Sequence, residues 1–199
     1  MAKQSINCCM VELKLRRTSL RLDFSFFAVV AIYLLLDKSG FGLAALAACA
    51  MHETAHLIAM ALLGVPVEQV TLYGAGIRIT SRLDKVKPLY KVIILSVGCV
   101  TNFVAAIVFW NVREYAAFVV NLYTGIFNLL PIGELDGAKL LETAVIRCCR
   151  AENVDKIMRI TAIATSVICL IAVIAIGGNV SFSLLTTGLY IIVISSRRL

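Results

Sequence analysis

Met51-His52-Glu53-Thr54-Ala55-His56-Leu57 sits inside an apolar segment, Phe41 to Leu63, that is long enough to cross a bilayer. On an α-helix, a spacing of four residues stacks His52 and His56 on one face, with Glu53 directly after the first. Two imidazole nitrogens so placed can take adjacent corners of a zinc tetrahedron. The carboxylate beside them can reach a water at an open corner. The chain has only two histidines, and both fall in this stretch. Three ionisable groups within one turn of a membrane-length helix are expensive even on the lenient insertion scales, and a bound divalent metal is the simplest way to offset them. The bland alternative is a histidine pair hydrogen-bonded inside a helix bundle with Glu53 protonated or paired, which leaves all three groups without a use.

Working outward, the 199 residues are 60% hydrophobic and only 16% charged, a balance that no soluble globular domain needs. One polytopic membrane domain, residues 1–199, accounts for the length. The net charge of +7 could suggest nucleic acid, but the basic residues gather at the ends of apolar runs, so membrane topology and anionic lipid explain them and no nucleic-acid partner is expected. The seven cysteines form no CxxC, which argues against both a disulfide framework and a thiolate zinc knuckle. Asp37-Lys38-Ser39-Gly40 is no small-residue cleavage site, so the first apolar run is expected to remain as a span.

In chain order, residues 1 to 21 are basic, with Lys3, Lys14, Arg16, Arg17 and Arg21. Leu22 to Leu36 is a short first span interrupted by Asp23. Phe41 to Leu63 is the second, rich in alanine and ending at Gly64-Val65-Pro66. From Val67 to Arg82 the residues become β-branched and partly alternating around Gly74-Ala75-Gly76, which predicts a short β-hairpin at the membrane surface. Pro88 opens a third span running to Trp110, with Gly98 and Asn102 one turn apart. Asn102 is either an ordinary helix–helix hydrogen-bonding residue or a catalytic one.

The fourth span, Tyr115 to about Leu130, ends in Asn128-Leu129-Leu130-Pro131-Ile132-Gly133-Glu134-Leu135-Asp136-Gly137. Pro131 disfavours helix at Leu130, which predicts an unwound end at membrane depth. Asp136 could point back into the bundle as a ligand or cap a following helix from Ala138 to Arg150. Residues 138 to 156 read as an interfacial helix, and Ile157 to Ile176 and Val180 to Ser195 as the last two spans, divided by Gly177-Gly178-Asn179. Six spans with both termini in the cytoplasm fit the distribution of Lys and Arg at every connection. That orientation carries His56 and Asp136 toward the same side, which favours Asp136 as the third ligand.

With these residues in place, the chain resembles the site-2 proteases, intramembrane zinc metalloproteases of peptidase family M50, over about residues 41–141. The matching features are His52-Glu53-Thr54-Ala55-His56, the hairpin, Gly98-Cys99-Val100-Thr101-Asn102, and Asn128-Leu129-Leu130-Pro131 through Leu135-Asp136-Gly137. The compact layout resembles the branch that contains the sporulation protease of spore-forming bacteria. Glycine-cysteine replaces the family's glycine-proline before Asn102, and Gly133-Glu134 replaces its proline-rich approach to the aspartate, making Glu134 a rival carboxylate.

The resemblance implies an all-α integral membrane fold of six transmembrane helices, with a membrane-associated β-hairpin between spans 2 and 3 and an unwound end of span 4. It implies one Zn²⁺ per chain held by His52, His56 and Asp136, with Glu53 as general base and Asn102 contacting the oxyanion or substrate. Asn128, Tyr73 and Gly74 would contact substrate. It further implies cleavage of a membrane-associated regulatory protein, such as a transcription factor, an anti-sigma factor or a sigma-factor precursor, in a bacterial cell or forespore membrane, with an inhibitory membrane partner. The rival classes are a polytopic metal transporter, which would want polar residues lining a path to both faces, and a catalytically idle scaffold.

Overall fold

Leu13 and Leu15 alternate with Glu12 and Lys14, and Leu20 and Leu22 with Ser19 and Arg21, the period-two pattern of a half-buried strand. The computed structural model describes residues 3–7, 10–15, 18–37, 40–74, 76–81, 83 and 86–176. In it the basic N-terminal region forms β1 (Lys3–Asn7), β2 (Met10–Leu15) and β3 (Thr18–Asp23). The expected hairpin is present as β4 (Val67–Tyr73) and β5 (Gly76–Ser81). It does not stand alone. A five-stranded sheet of order β1-β2-β3-β4-β5 is antiparallel except where β3 runs parallel to β4, with Leu20 opposite Val70. This corrects the all-α expectation. Arg21, read from the sequence as part of a basic tail, lies in β3 opposite Glu12 with Nε 3.5 Å from Oε1.

The chain divides into two compact units, residues 1–125 and 126–199. The first holds the sheet, α1 (Phe24–Leu36), α2 (Phe41–Leu62), α3 (Pro88–Asn111) and most of α4 (Tyr115–Asn128). Asp23, which interrupted the first apolar run, marks the strand-to-helix junction: its carboxylate accepts from the Ser25 N–H at 2.8 Å and caps α1. That hydrogen bond favours the charged form and holds the carboxyl below the usual carboxylate range. Across the α1–α2 connection, Asp37 accepts from the Gly42 N–H at 2.6 Å.

α2 ends where the sequence predicts. Val65 N–H reaches Met60 O at 2.8 Å and Gly64 N–H reaches Ala61 O at 3.2 Å, with Gly64 at φ +69°, the paired bonds of a Schellman motif. Val65 and Met60 are both buried, and with Ala59 and Ile94 they form a small core against Val67 and Ile79 of the hairpin. That core fixes the sheet to the ends of α2 and α3.

Ala48, His52, Ala55, His56 and Ala59 make one face of α2. Ile94, Leu95, Gly98, Cys99, Asn102 and Ala106 make one face of α3. Both recur at i, i+3 and i+4, and the small residues let the two backbones approach closely. The outer faces are apolar: Phe24, Phe27, Leu35, Ile58, Val104, Ile107 and Trp110 are exposed while His52, His56 and Asn102 are buried. α2 and α3, at 22 and 24 residues, are the two helices among the described residues that are long and apolar enough to cross a membrane. At 1.5 Å per residue they span roughly 33 and 36 Å, against about 30 Å of hydrocarbon. α1 is apolar but has only 13 residues.

In the second unit α4 stops at Asn128, as Pro131 requires, and Leu129 and Leu130 N–H bond back to Ile126 O and Phe127 O in a tightened last turn. An irregular stretch with Gly133 at φ +58° leads into α5 (Asp136–Cys148). The interfacial helix expected over 138–156 is shorter than that. Extended backbone at Cys149 breaks it, and residues 151–156 belong instead to α6 (Ala151–Ile176). The expected sixth span, Val180 to Ser195, lies outside the described residues.

A Cβ on Gly137 would overlap the Leu129 carbonyl group, so the α4–α5 connection closes only around glycine. Gly137→Ala is expected to destabilise the protein by roughly 3 kcal/mol, the upper range of core overpacking. A lowered unfolding midpoint in detergent checks it.

Candidate metal centre

Because α2 is regular through residues 52 to 56, His52 and His56 lie one turn apart on its buried face, 2% and 6% exposed. Their Nε2 atoms are 3.1 Å apart and the rings are tilted at 74°. The other nitrogen of each ring is engaged. His56 Nδ1 lies 2.6 Å from the Ile94 carbonyl oxygen, which can only accept, so Nδ1 carries the proton. His52 Nδ1 lies 2.7 Å from Oδ1 of Asn102. The orientation of that amide is set by its other contacts: Asn102 Nδ2 donates to Ala48 O at 3.3 Å and to Asn121 Oδ1 at 3.1 Å. Asn121 in turn donates from Nδ2 to Ala117 O at 2.8 Å. His52 Nδ1 is therefore also a donor.

Both Nε2 atoms then carry lone pairs that face each other. Neutral imidazoles in these tautomers cannot hydrogen-bond to each other through Nε2, and both present that nitrogen as an acceptor or a metal ligand. Two nitrogens on one tetrahedral zinc, each 2.0–2.1 Å from it, lie roughly 3.3 Å apart. The pair is therefore already spaced as two metal ligands, with outer partners of the kind that orient histidine ligands. Gly98 on α3 makes the room. A Cβ there would stand 2.7 Å from His52 Cε1 and Nε2, and closer still to His56 Nε2.

The remaining residues singled out from the sequence are placed as follows. Glu53 follows His52 on α2 and is half-buried. Asn102 is fully buried, and its amide is taken up by His52, Ala48 and Asn121. Tyr73 ends β4 with the Arg78 guanidinium 5.2 Å over its ring, and the Gly74 N–H donates to Ser25 Oγ at 2.9 Å, which docks the hairpin turn on α1. In the second unit, Asn128 is the half-buried last residue of α4. Asp136 is buried and is the first residue of α5, whose N-cap is Leu135, so the capping alternative does not hold. Glu134 is exposed in the preceding turn.

Asn121 was missed in the sequence, where it is a lone asparagine in an apolar run, indistinguishable from a residue that bonds only to its own helix. The Ile94 carbonyl carried no sequence signal at all. A groove of about 600 Å³ between α2 and α3, lined by Met51, Thr54, Ile58, Leu62, Ile93 and Val97, is almost wholly apolar and includes neither histidine. It is not the metal centre.

Residues 105–175 match the family model described as peptidase family M50, a stretch that includes Asn121, Asn128 and Asp136 but not the histidine pair. No curated protein sequence matches the chain. Among solved structures, the fold is similar to that of the site-2 protease from Methanocaldococcus jannaschii, with a TM-score of 0.67 and 17% sequence identity over 99% of this chain and 94% of that one.

Gly98→Val is expected to push both imidazoles apart and to lower zinc uptake at least tenfold, with helix content retained. Metal analysis beside circular dichroism checks it, and full uptake would show that the close approach of α3 does not set the spacing.

Proposed function

We propose that this chain, whose residues 105–175 match the peptidase family M50 model and whose fold is similar to that of a site-2 protease, is a site-2 protease: a zinc-dependent endopeptidase cleaving a membrane-associated regulatory protein in or near its membrane segment. The observation that carries this reading is the pair of Nε2 atoms 3.1 Å apart, on rings each fixed by a hydrogen bond on its far side. The donor set we assign is His52, His56 and Asp136, two imidazoles and a carboxylate, which suits a catalytic zinc that keeps one position open. A zinc ion held there supplies Lewis acidity toward the scissile carbonyl and lowers the pKa of a water.

The chain's own groups carry the proton. Glu53, next to His52 and half-buried, accepts it from the attacking water and returns it to the leaving amine. An α-helical substrate hides its amide carbonyls in internal hydrogen bonds, so the bond to be cut must be presented in an extended segment. β5 is an edge strand, and we place the pairing of that segment on its outer side. Six spans with both termini in the cytoplasm, and Asn128, Tyr73 and Gly74 near the substrate path, belong to the same proposal.

The test is cleavage of single-span reporter proteins in liposomes, with zinc content measured on the same preparations. Glu53→Gln is expected to keep its zinc and to lose roughly 10²–10⁴-fold in cleavage rate; near-normal cleavage removes Glu53 as the base. Asp136→Ala is expected to lose most of its zinc, and unchanged stoichiometry retires it as a ligand. Chelation should abolish cleavage, and added zinc should restore it.

A further inference from the structure

Asn121 belongs to no motif that led to the metal centre, yet it is 3% exposed in an apolar helix and bonds directly to Asn102. We propose that Asn121 and Asn102 form a positioning relay that fixes the tautomer of His52 and so keeps its Nε2 unprotonated, as a metal ligand must be. This inference rests on the zinc reading given above.

The alternative arrangement shows what the relay prevents. If the Asn102 amide were turned over, its NH₂ group would face His52 Nδ1, which would become the acceptor, and the ring proton would move to Nε2. At 3.1 Å that Nε2–H would donate to His56 Nε2, and the two ligands would close on each other in an ordinary neutral hydrogen bond. The observed arrangement blocks this state. A turned amide would set Asn102 Oδ1 against two oxygens, Ala48 O and Asn121 Oδ1, neither of which has a proton to give. Asn121 Oδ1 is itself held outward because Nδ2 of the same amide donates to Ala117 O. The proton pattern runs in one direction from α4 through α3 to α2: Ala117 O accepts from Asn121, Asn121 from Asn102, and Asn102 from His52. His56 needs no such device, because its partner is a main-chain carbonyl that cannot reverse its polarity.

The two-histidine composition makes the test tractable, since every imidazole ¹⁵N signal belongs to the site. In the metal-free full-length protein in detergent, both histidines are expected to carry their proton on Nδ1. An unprotonated Nδ1 on either ring overturns the relay, and this readout stands even if no variant folds. Asn121→Leu, close in volume but without polar atoms, is expected to let one imidazole populate the Nε2–H tautomer and to weaken zinc binding roughly 3–10-fold. Asn102→Leu should weaken it roughly 10–100-fold, the range for loss of an outer partner of a ligating histidine.

Asn121→Asp is the rescue. Buried among apolar side chains it should be a neutral acid, whose O–H replaces the donor to Ala117 O and whose carbonyl still accepts from Asn102. Affinity within about twofold of the wild type is expected. If Asn121→Leu leaves zinc affinity and both Nδ1 protons unchanged, Asn121 serves only to join helices and the proposal fails. If the wild type takes up no zinc while its tautomers are as stated, it is the zinc reading that falls, not the relay.

Discussion

Two imidazole Nε2 atoms meet at 3.1 Å inside an apolar helix pair, and much of the first unit can be understood as what that contact demands. Left to themselves, the rings could move a proton or rotate away. Here neither is free to do so, because each ring is hydrogen-bonded on its far nitrogen to a buried acceptor on α3. The acceptors in turn need α3 close to α2, and closeness needs small residues: Ala48, Ala55 and Ala59 on one helix, Gly98 and Ala106 on the other. Gly98 is the tightest of these positions because it faces the imidazoles themselves.

That packing reverses the usual distribution of polarity. The polar groups His52, His56, Asn102 and Asn121 are inside, while phenylalanine, isoleucine, valine and tryptophan line the outer faces of α1, α2 and α3. In water such a surface would aggregate; in hydrocarbon it has no cost, and the buried polar groups are the expensive ones. Their cost is offset by bonding each to another, which is why the asparagines occur as a connected pair. The sheet solves a different problem. Its strands leave the helical register of the membrane spans, and β4 secures its backbone on both sides, against β3 and β5.

The second unit shows how a chain leaves regular structure at a buried position. Pro131 and the left-handed Gly133 break the run after α4, the interrupted backbone finds partners in short-range turns, and α5 restarts at Asp136 with Gly137 pressed against the Leu129 carbonyl. A carboxylate at the first position of a helix is favoured by the unsatisfied N–H groups there. That placement suits Asp136 to the role of anionic ligand proposed for it.

The sequence by itself determined the membrane-length helices, the end of α2 at Gly64, the break before Pro131, and the spacing of His52, Glu53 and His56. All of these are local: they follow from hydropathy, backbone preference and helical period within a few residues. It also contained the apolar–polar alternation of β2 and β3, which the basic residues there obscured. Only the tertiary structure decided that β3 pairs with β4 across more than forty residues of chain, that Ile94 offers a carbonyl to His56, and that Asn102 and Asn121 meet. Those are relations between helix faces and strand edges distant in sequence. A lone asparagine or a main-chain oxygen looks the same in the sequence whatever it will touch, so the hydrogen bonds that orient the two histidines became visible only once α2, α3 and α4 were packed.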